Sequence, residues 1–366
     1  MTRVVIVQET LPHYRVPFFD GLRAALSEEG VQLDLVVGQP SGDAARRRDQ
    51  GALAWATTVR NRRLGRLVWQ PAWRHVRRAD LVVVEQANRH LLGYLLFLAA
   101  RAGGTPVAQW GHGADLQRGP SGWRQRLKLV MTRHASWFFA YTEGSAARVR
   151  AAGVDPRVIT VVQNAVEHPP TLAVPKVAAQ CVFVGGLHAA KRLQFLLEAA
   201  DHMATLVPRF HLHIIGDGAE RRVIERTPRE YVTHHGMLTG PDRDALLQSS
   251  QLILMPGLVG LVALDAFAAR APLVTIASRT HSPEIEYVVD QTNGIVLPES
   301  STAFAYASAA TDLLLDPSRL ERLRHGCDVA ASVYTLDSMV ERFAEGVLRS
   351  LGRRSVRLSG TPGAAA

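Results

Sequence analysis

The stretch QLILMPGLVGLVALDAFAARAPLVT, residues 251–275, decides the fold. An apolar run over 251–255 leads into a proline-glycine turn, then an apolar helical segment, then a second apolar run over 272–276. Neither run alternates apolar with polar residues, so each reads as a strand covered on both faces. Strands of that kind joined through a helix lie parallel. One carboxylate, Asp265, stands inside the helical segment, and glycines at 257 and 260 open the loop before it.

The same alternation runs along nearly the whole chain. Strand-like runs fall at 3–7, 32–37, 81–85, 106–109, 137–141 and 158–162, and again at 180–184, 211–215, 231–235, 251–255, 272–276 and 294–297. Between them lie amphipathic segments such as PFFDGLRAALSEEG (17–30), where Phe18, Leu22 and Leu26 share a face, with a proline just inside the start and a glycine at the end. Two sets of six strands predict two doubly wound, Rossmann-like domains with parallel sheets, over 1–168 and 178–334. The proline-bearing stretch EHPPTLAVPKVAAQ (167–180) is the break. A C-terminal helix over 335–351 is expected to cross back to the first domain, and 352–366 reads as a disordered tail.

Composition narrows the function. The 366 residues carry a net charge of +9. Residues 1–170 hold 23 Lys and Arg against 13 Asp and Glu, whereas the remainder holds 19 against 20. A basic first half suits an anionic surface, so peripheral membrane contact through it is an expectation. The cations are scattered rather than interleaved with aromatics, RNRRLGR (60–66) being the one dense cluster, so nucleic acid is not an expected partner. Cys181 and Cys327 make no disulfide framework. The chain enters a strand at RVVIV, so no signal peptide is expected, and HLLGYLLFLAARAGG (90–104) is too short to span a bilayer. The expected location is cytoplasmic, extending to the inner membrane surface.

Ligands of doubly wound sheets bind in loops at the carboxyl ends of strands. In the second half these are GGLHAAKR (185–192), GDGAER (216–221), HGMLTGPDR (235–243), PGLVGL (256–261) and SRTHSPEIEY (278–287). Four of the five are glycine-bearing, and Lys191 is one of only three lysines, placed where a helix is expected to begin near Ala190. A helix N-terminus with an ammonium beside it suits a phosphate. His234, His235 and HSPEIE (281–286) raise the question of metal ligands, but no ligand spacing supports it, and no loop offers paired carboxylates. No metal and no cofactor are expected.

Taken in order, these motifs resemble family 4 glycosyltransferases, retaining enzymes of the GT-B architecture in which two Rossmann-like domains face each other across a cleft. The resemblance rests on Val184-Gly185-Gly186-Leu187 with Lys191-Arg192, on Gly216-Asp217-Gly218, on His235-Gly236-Met237-Leu238, on the 256–268 segment, and on Glu286 with Asn293-Gly294. YRVPFF (14–19), WGHG (110–113) and residues 141–167 resemble the acceptor domain and hinge. The resemblance implies a nucleoside diphosphate sugar, UDP- or GDP-linked, as co-substrate. Lys191 and Arg192 would neutralise the diphosphate, and His112 would contact the transferred sugar. Asp265 would bond the ribose, Asp217 with Gly236, Met237 and Leu238 would hold the base, and Gly185, Gly186 and Glu286 would line the donor site. Gly257, Leu258, Val259, Gly260 and Leu261 would offer backbone N–H groups at the start of a helix running from about 261 to 270.

The sequence departs from the family pattern at three points. A P-G-x-V-G-L loop puts Gly257 where the first glutamate of the family's E-x7-E motif stands, Gly186 replaces an arginine, and Asp265 replaces the second glutamate. A glutamate returned at 257 is expected to change the ranking of donor sugars. The acceptor would be a hydroxyl of a natural-product scaffold, a glycan or a lipid-linked sugar. Alternatives are a nucleotide-sugar-binding pseudo-glycosyltransferase and an epimerase on the same fold.

Overall fold

The computed structural model describes residues 1–39, 50–65, 67–113, 122–168 and 174–353, with the backbone alone for 122–127. It forms two compact units: Met1–Glu167 together with the chain from Thr335 onward, and His168–Tyr334. Both carry one parallel sheet. In the first unit the strands are β1 (Thr2–Gln8), β2 (Val31–Gly38), β3 (Thr57–Val59), β4 (Arg62–Leu64), β5 (Leu67–Trp69), β6 (Leu81–Glu85), β7 (Val107–Gly111), β8 (Trp137–Ala140) and β9 (Ile159–Val161). Seven of them make a sheet in the order β3-β2-β1-β6-β7-β8-β9, while β4 and β5 pair apart as an antiparallel hairpin. The second unit has β10 (Gln180–Val184), β11 (His211–Ile215), β12 (Val232–Gly236), β13 (Leu252–Met255), β14 (Leu273–Ile276) and β15 (Gly294–Leu297), ordered β12-β11-β10-β13-β14-β15.

All twelve expected strands are present, and three short ones were not anticipated. β3 has three residues and a half-exposed face, and the β4–β5 hairpin is built from the basic cluster, where charge masked the pairing pattern. Parts of the break and of the tail, 169–173 and 354–366, lie outside the described residues.

The sheets are buried on both faces, as their apolar runs require: β10, β13 and β14 are buried at every residue. The helix Leu336–Ser350 belongs to the first unit. Thr335 caps it by accepting from Ser338 N, and Met339, Val340, Phe343, Ala344 and Val347 form its buried face. Phe343 stacks on Phe139 with ring centroids 4.1 Å apart and meets Trp110 and Phe18 edge-on. That spacing commits the helix to the first sheet.

Two helical expectations need correction. The segment after PGLVGL is helical only over Val262–Ala268, because Arg270 turns left-handed (φ +50°) ahead of Pro272. Lys191 is not in a helix first turn either. It closes a 3₁₀ turn, Ala189–Lys191, and Arg192, at φ +55°, separates it from the helix Leu193–Leu206.

Candidate functional site

Chain order reverses in the second sheet between β10 and β13, so the loops after these two strands meet at the switch point where ligands of such sheets bind. The loops interlock. Leu258 N donates to Ala190 O at 2.8 Å, and Lys191 Nζ donates to Leu258 O at 2.6 Å. Lys191 is only 8 % exposed, and among the described residues no carboxylate pairs with it. Burial brings its pKa down from 10.5 to about 8. Burying an ammonium is costly unless an anion pairs with it, so this position suits an anionic ligand.

Two glycines shape the surroundings of that ammonium. Gly185, at φ +149°, carries no side chain over Lys191, where a Cβ would come within 3.4 Å of Nζ. Gly257 is different: a Cβ there would fall 2.4 Å from Ala190 O and 2.6 Å from Lys191 Cα, both backbone atoms. The missing glutamate is therefore excluded sterically. Position 257 is a backbone contact, so Gly257→Glu is expected to disturb the loop itself rather than to change the ranking of donors.

The neighbouring loops join the same end of the sheet. Gly216 N donates to Gly236 O at 2.8 Å, and His234 Nε2 donates to Gly216 O at 2.8 Å, tying GDG to the 236–238 turn. Asp217 is exposed and accepts from Gly218 N at 2.7 Å; Met237 is 64 % exposed and Leu238 partly so. An open apolar Met beside glycine backbone can receive the flat face of a base. Gly186, in the loop after β10, is exposed. Arg192 is exposed, with its guanidinium 4.2 Å from the Phe195 ring centroid.

Asp265 is already engaged. Its Oδ2 lies 2.7 Å from Arg243 NH2, and its Oδ1 lies 3.9 Å from His168 Nδ1. Burial works against the charge on Arg243, but Asp265 and Asp244 outweigh it and raise the pKa. Burial lowers that of His168, whose Nε2 has no hydrogen-bond partner. A ribose bound by Asp265 would share the carboxylate with Arg243. Of the two glutamates in SPEIE, Glu284 is buried at 3 % exposure within the 3₁₀ turn Pro283–Tyr287, while Glu286, the residue the sequence singled out, is exposed.

His281, which the sequence marks only as a loop residue, has a larger part. It is 4 % exposed and bridges two backbone groups, Val259 N (3.0 Å to Nδ1) and Ile276 O (2.8 Å from Nε2). Gly260 and Leu261 complete this loop and are partly exposed. The signal was present in HSPEIE, but spacing could not show that a loop histidine staples another loop. His235 does find a partner, His213 Nδ1 at 3.0 Å from its Nε2 across β11 and β12.

In the first unit His112 follows β7, half-buried, its ring stacked on Tyr141 at 4.4 Å. Arg15 lies beneath this wall, with its guanidinium 4.9 Å from Trp110 and 5.7 Å from Tyr141, and it donates to Asn164 Oδ1 at 2.6 Å. The switch point of this sheet, between β1 and β6, holds Glu9, Glu85 and His90, the one set of three such donors among the described residues close enough to share an ion. Glu9 there is already paired with His90 and Arg89, each at 2.6 Å.

Residues 18–168 match the family described as Glycosyltransferase Family 4, and residues 178–316 match that described as Glycosyl transferases group 1. No curated protein matches the sequence. Among solved structures, the chain resembles the lipopolysaccharide outer core galactosyltransferase WaaB at 13 % identity and TM-score 0.68, over 95 % of this chain and 99 % of that one. It also resembles Anabaena HepE in complex with UDP and glucose (12 %, TM-score 0.66, 95 % and 99 %) and sucrose-phosphate synthase of Thermosynechococcus elongatus (17 %, TM-score 0.68, 96 % and 99 %). These likenesses are of fold, and the fold is GT-B.

Proposed function

We infer that this chain, a GT-B glycosyltransferase with a family 4-like match in each unit, moves a sugar from a nucleoside diphosphate to an acceptor hydroxyl with retention at the anomeric carbon. The observation that carries the reading is Lys191, a buried ammonium with no carboxylate partner among the described residues, at the switch point of the second sheet. Breaking the sugar–phosphate bond leaves positive charge on the sugar and negative charge on the diphosphate, as in other glycosyl transfers. Lys191 is placed to neutralise the leaving group, with Arg192 as a second, exposed cation. The departing phosphate oxygen takes the acceptor proton on the same face, so no separate base is needed. UDP is the first nucleotide to try, since neighbouring folds such as HepE have been solved with it.

The test is calorimetric titration of the purified protein with UDP, GDP and their hexose conjugates, then NMR of the product's anomeric configuration. Binding of one nucleotide, diphosphate release that persists in EDTA, and retained configuration are expected. An inverted product would remove the retaining assignment, and binding without turnover on any acceptor or water would favour a pseudo-enzyme. Loss of activity in EDTA with recovery on adding manganese would assign a metal role, for which Glu9, Glu85 and His90 are the first place to look.

Membrane contact is part of the same reading. The β4–β5 hairpin exposes Leu64 and Leu67 beside Arg62 and Arg63. Apolar side chains next to Arg suit an anionic lipid surface. No described helix is long and apolar enough to cross a membrane. Binding to vesicles containing phosphatidylglycerol should therefore weaken with salt and with L64S/L67S, and be absent on pure phosphatidylcholine. Equal binding to both lipids, or none, removes the proposal.

A further inference from the structure

We propose that His281 is a positioning residue for the donor phosphate: it fixes the Leu258–Val259 peptide so that its carbonyl holds Lys191 until a diphosphate oxygen takes the carbonyl's place. The inference rests on the donor reading above, and its test separates the two.

One peptide group carries the argument. Its carbonyl, Leu258 O, accepts from Lys191 Nζ at 2.6 Å, and its amide, Val259 N, donates to His281 Nδ1 at 3.0 Å. In a trans peptide these two groups point to opposite sides, so ammonium and imidazole clamp the plane between them. The partners fix the tautomer. Val259 N–H can only donate and Ile276 O can only accept, so Nδ1 is bare and the proton sits on Nε2. Burial keeps the imidazole neutral by lowering its pKa, and the charge on Lys191 adds to that. Ser282 N donates to Val259 O at 2.9 Å, and Leu258 N donates to Ala190 O, so the peptides on both sides are tied as well.

The clamp has a chemical consequence. A free lysine side chain explores many rotamers, and ordering one costs conformational entropy. With its carbonyl partner fixed, Lys191 is held in the loop junction with only a neutral acceptor. A phosphate oxygen is a stronger partner for an ammonium than a carbonyl is, so exchange is favourable and needs little rearrangement. If the peptide were free to rotate, its carbonyl would turn away and the ammonium would lose its guide.

A purely structural histidine would be equally sensitive to loss of either bond, which makes the two amide replacements informative. Asn at 281 keeps an acceptor near the Nδ1 position for Val259 N–H, and Gln reaches the Nε2 position and serves Ile276 O. Both should lower the melting temperature, because each leaves one buried backbone group unpaired. Only His281→Gln should release the Leu258–Val259 peptide. We expect it to weaken UDP binding roughly tenfold, with His281→Asn staying within about threefold of the parent.

A second readout does not depend on donor. The chain has three lysines, Lys128, Lys176 and Lys191, so the Lys191 side chain can be followed by NMR after isotope labelling and assigned with Lys191→Arg. Its titration midpoint should move in His281→Gln and stay near the parental value in His281→Asn. Equal shifts in the two variants would reduce His281 to a packing residue and overturn the proposal. Should the parent bind no nucleoside diphosphate at all, the donor reading fails, while the lysine titrations still decide the clamp.

Discussion

Replacing Lys191 by alanine is expected to lower kcat/KM by roughly 30- to 1,000-fold, the equivalent of about 2–4 kcal/mol lost from the stabilisation of a developing anion. The loss should fall mainly on kcat, because charge on the leaving diphosphate grows as the sugar bond breaks. Nucleotide-sugar turnover within a few-fold of the parent would show that another group does this work, and Arg192 would then be examined first. The pH profile is a second check. Burial sets the free-protein pKa at about 8, so the ammonium is lost as pH rises through that value and kcat/KM should fall with it. A bound diphosphate favours the charged form, so the limb in kcat should lie higher than the limb in kcat/KM.

The same lysine bears on stability, with a sign that can be worked out. Its folded pKa is depressed from 10.5 to about 8, so the unfolded chain binds the proton more tightly. Stability therefore rises with pH between those two values. Below about pH 8 the buried ammonium costs folding roughly 3 kcal/mol relative to an exposed lysine. Diphosphate binding repays this cost, so nucleotide should raise the melting temperature more at pH 7 than at pH 10.

The parts of the molecule that were legible in the sequence are those that depend on local pattern. Predominantly apolar runs such as 252–255 and 273–276, too short for helices, read as covered strands, and their alternation with helices left few topologies. Glycines after strands marked loops that the fold brings to the switch point of the second sheet, and a rare lysine is the buried cation there. What was not legible depends on pairings between distant residues. Nothing near Asp265 in sequence announces that Arg243, 22 positions earlier, neutralises it. His281 looked like a loop residue because its two partners lie on other segments. The hairpin of β4 and β5 was hidden because exposed strands need no apolar alternation, and its arginines read only as charge.

Gly257 is where pattern and packing disagree most, and it gives the second large expected effect. By its resemblance to the family pattern it stands where a sugar-contacting glutamate is expected, so returning that side chain should change the ranking of donor sugars. By contact it is where the PGLVGL loop lies against the backbone of Ala190 and Lys191, with room for no Cβ. Gly257→Ala must therefore push two backbone segments apart. Overpacking of this sort costs about 1–3 kcal/mol, or several degrees in melting temperature for a domain of this size. The displacement falls on the bond from Leu258 N to Ala190 O and on the grip of Leu258 O on Lys191, so activity should drop further than stability does. Gly257→Glu should be at least as damaging with every donor sugar. The contrast with Gly186 makes the argument checkable: a Cβ there meets nothing closer than 3.5 Å, at the His188 ring, so Gly186→Ala should keep near-parental stability. A Gly257→Ala protein that melts and turns over like the parent would show that the loop can withdraw from Lys191 at no cost. In that event the chain would have lost its glutamate for a reason other than space.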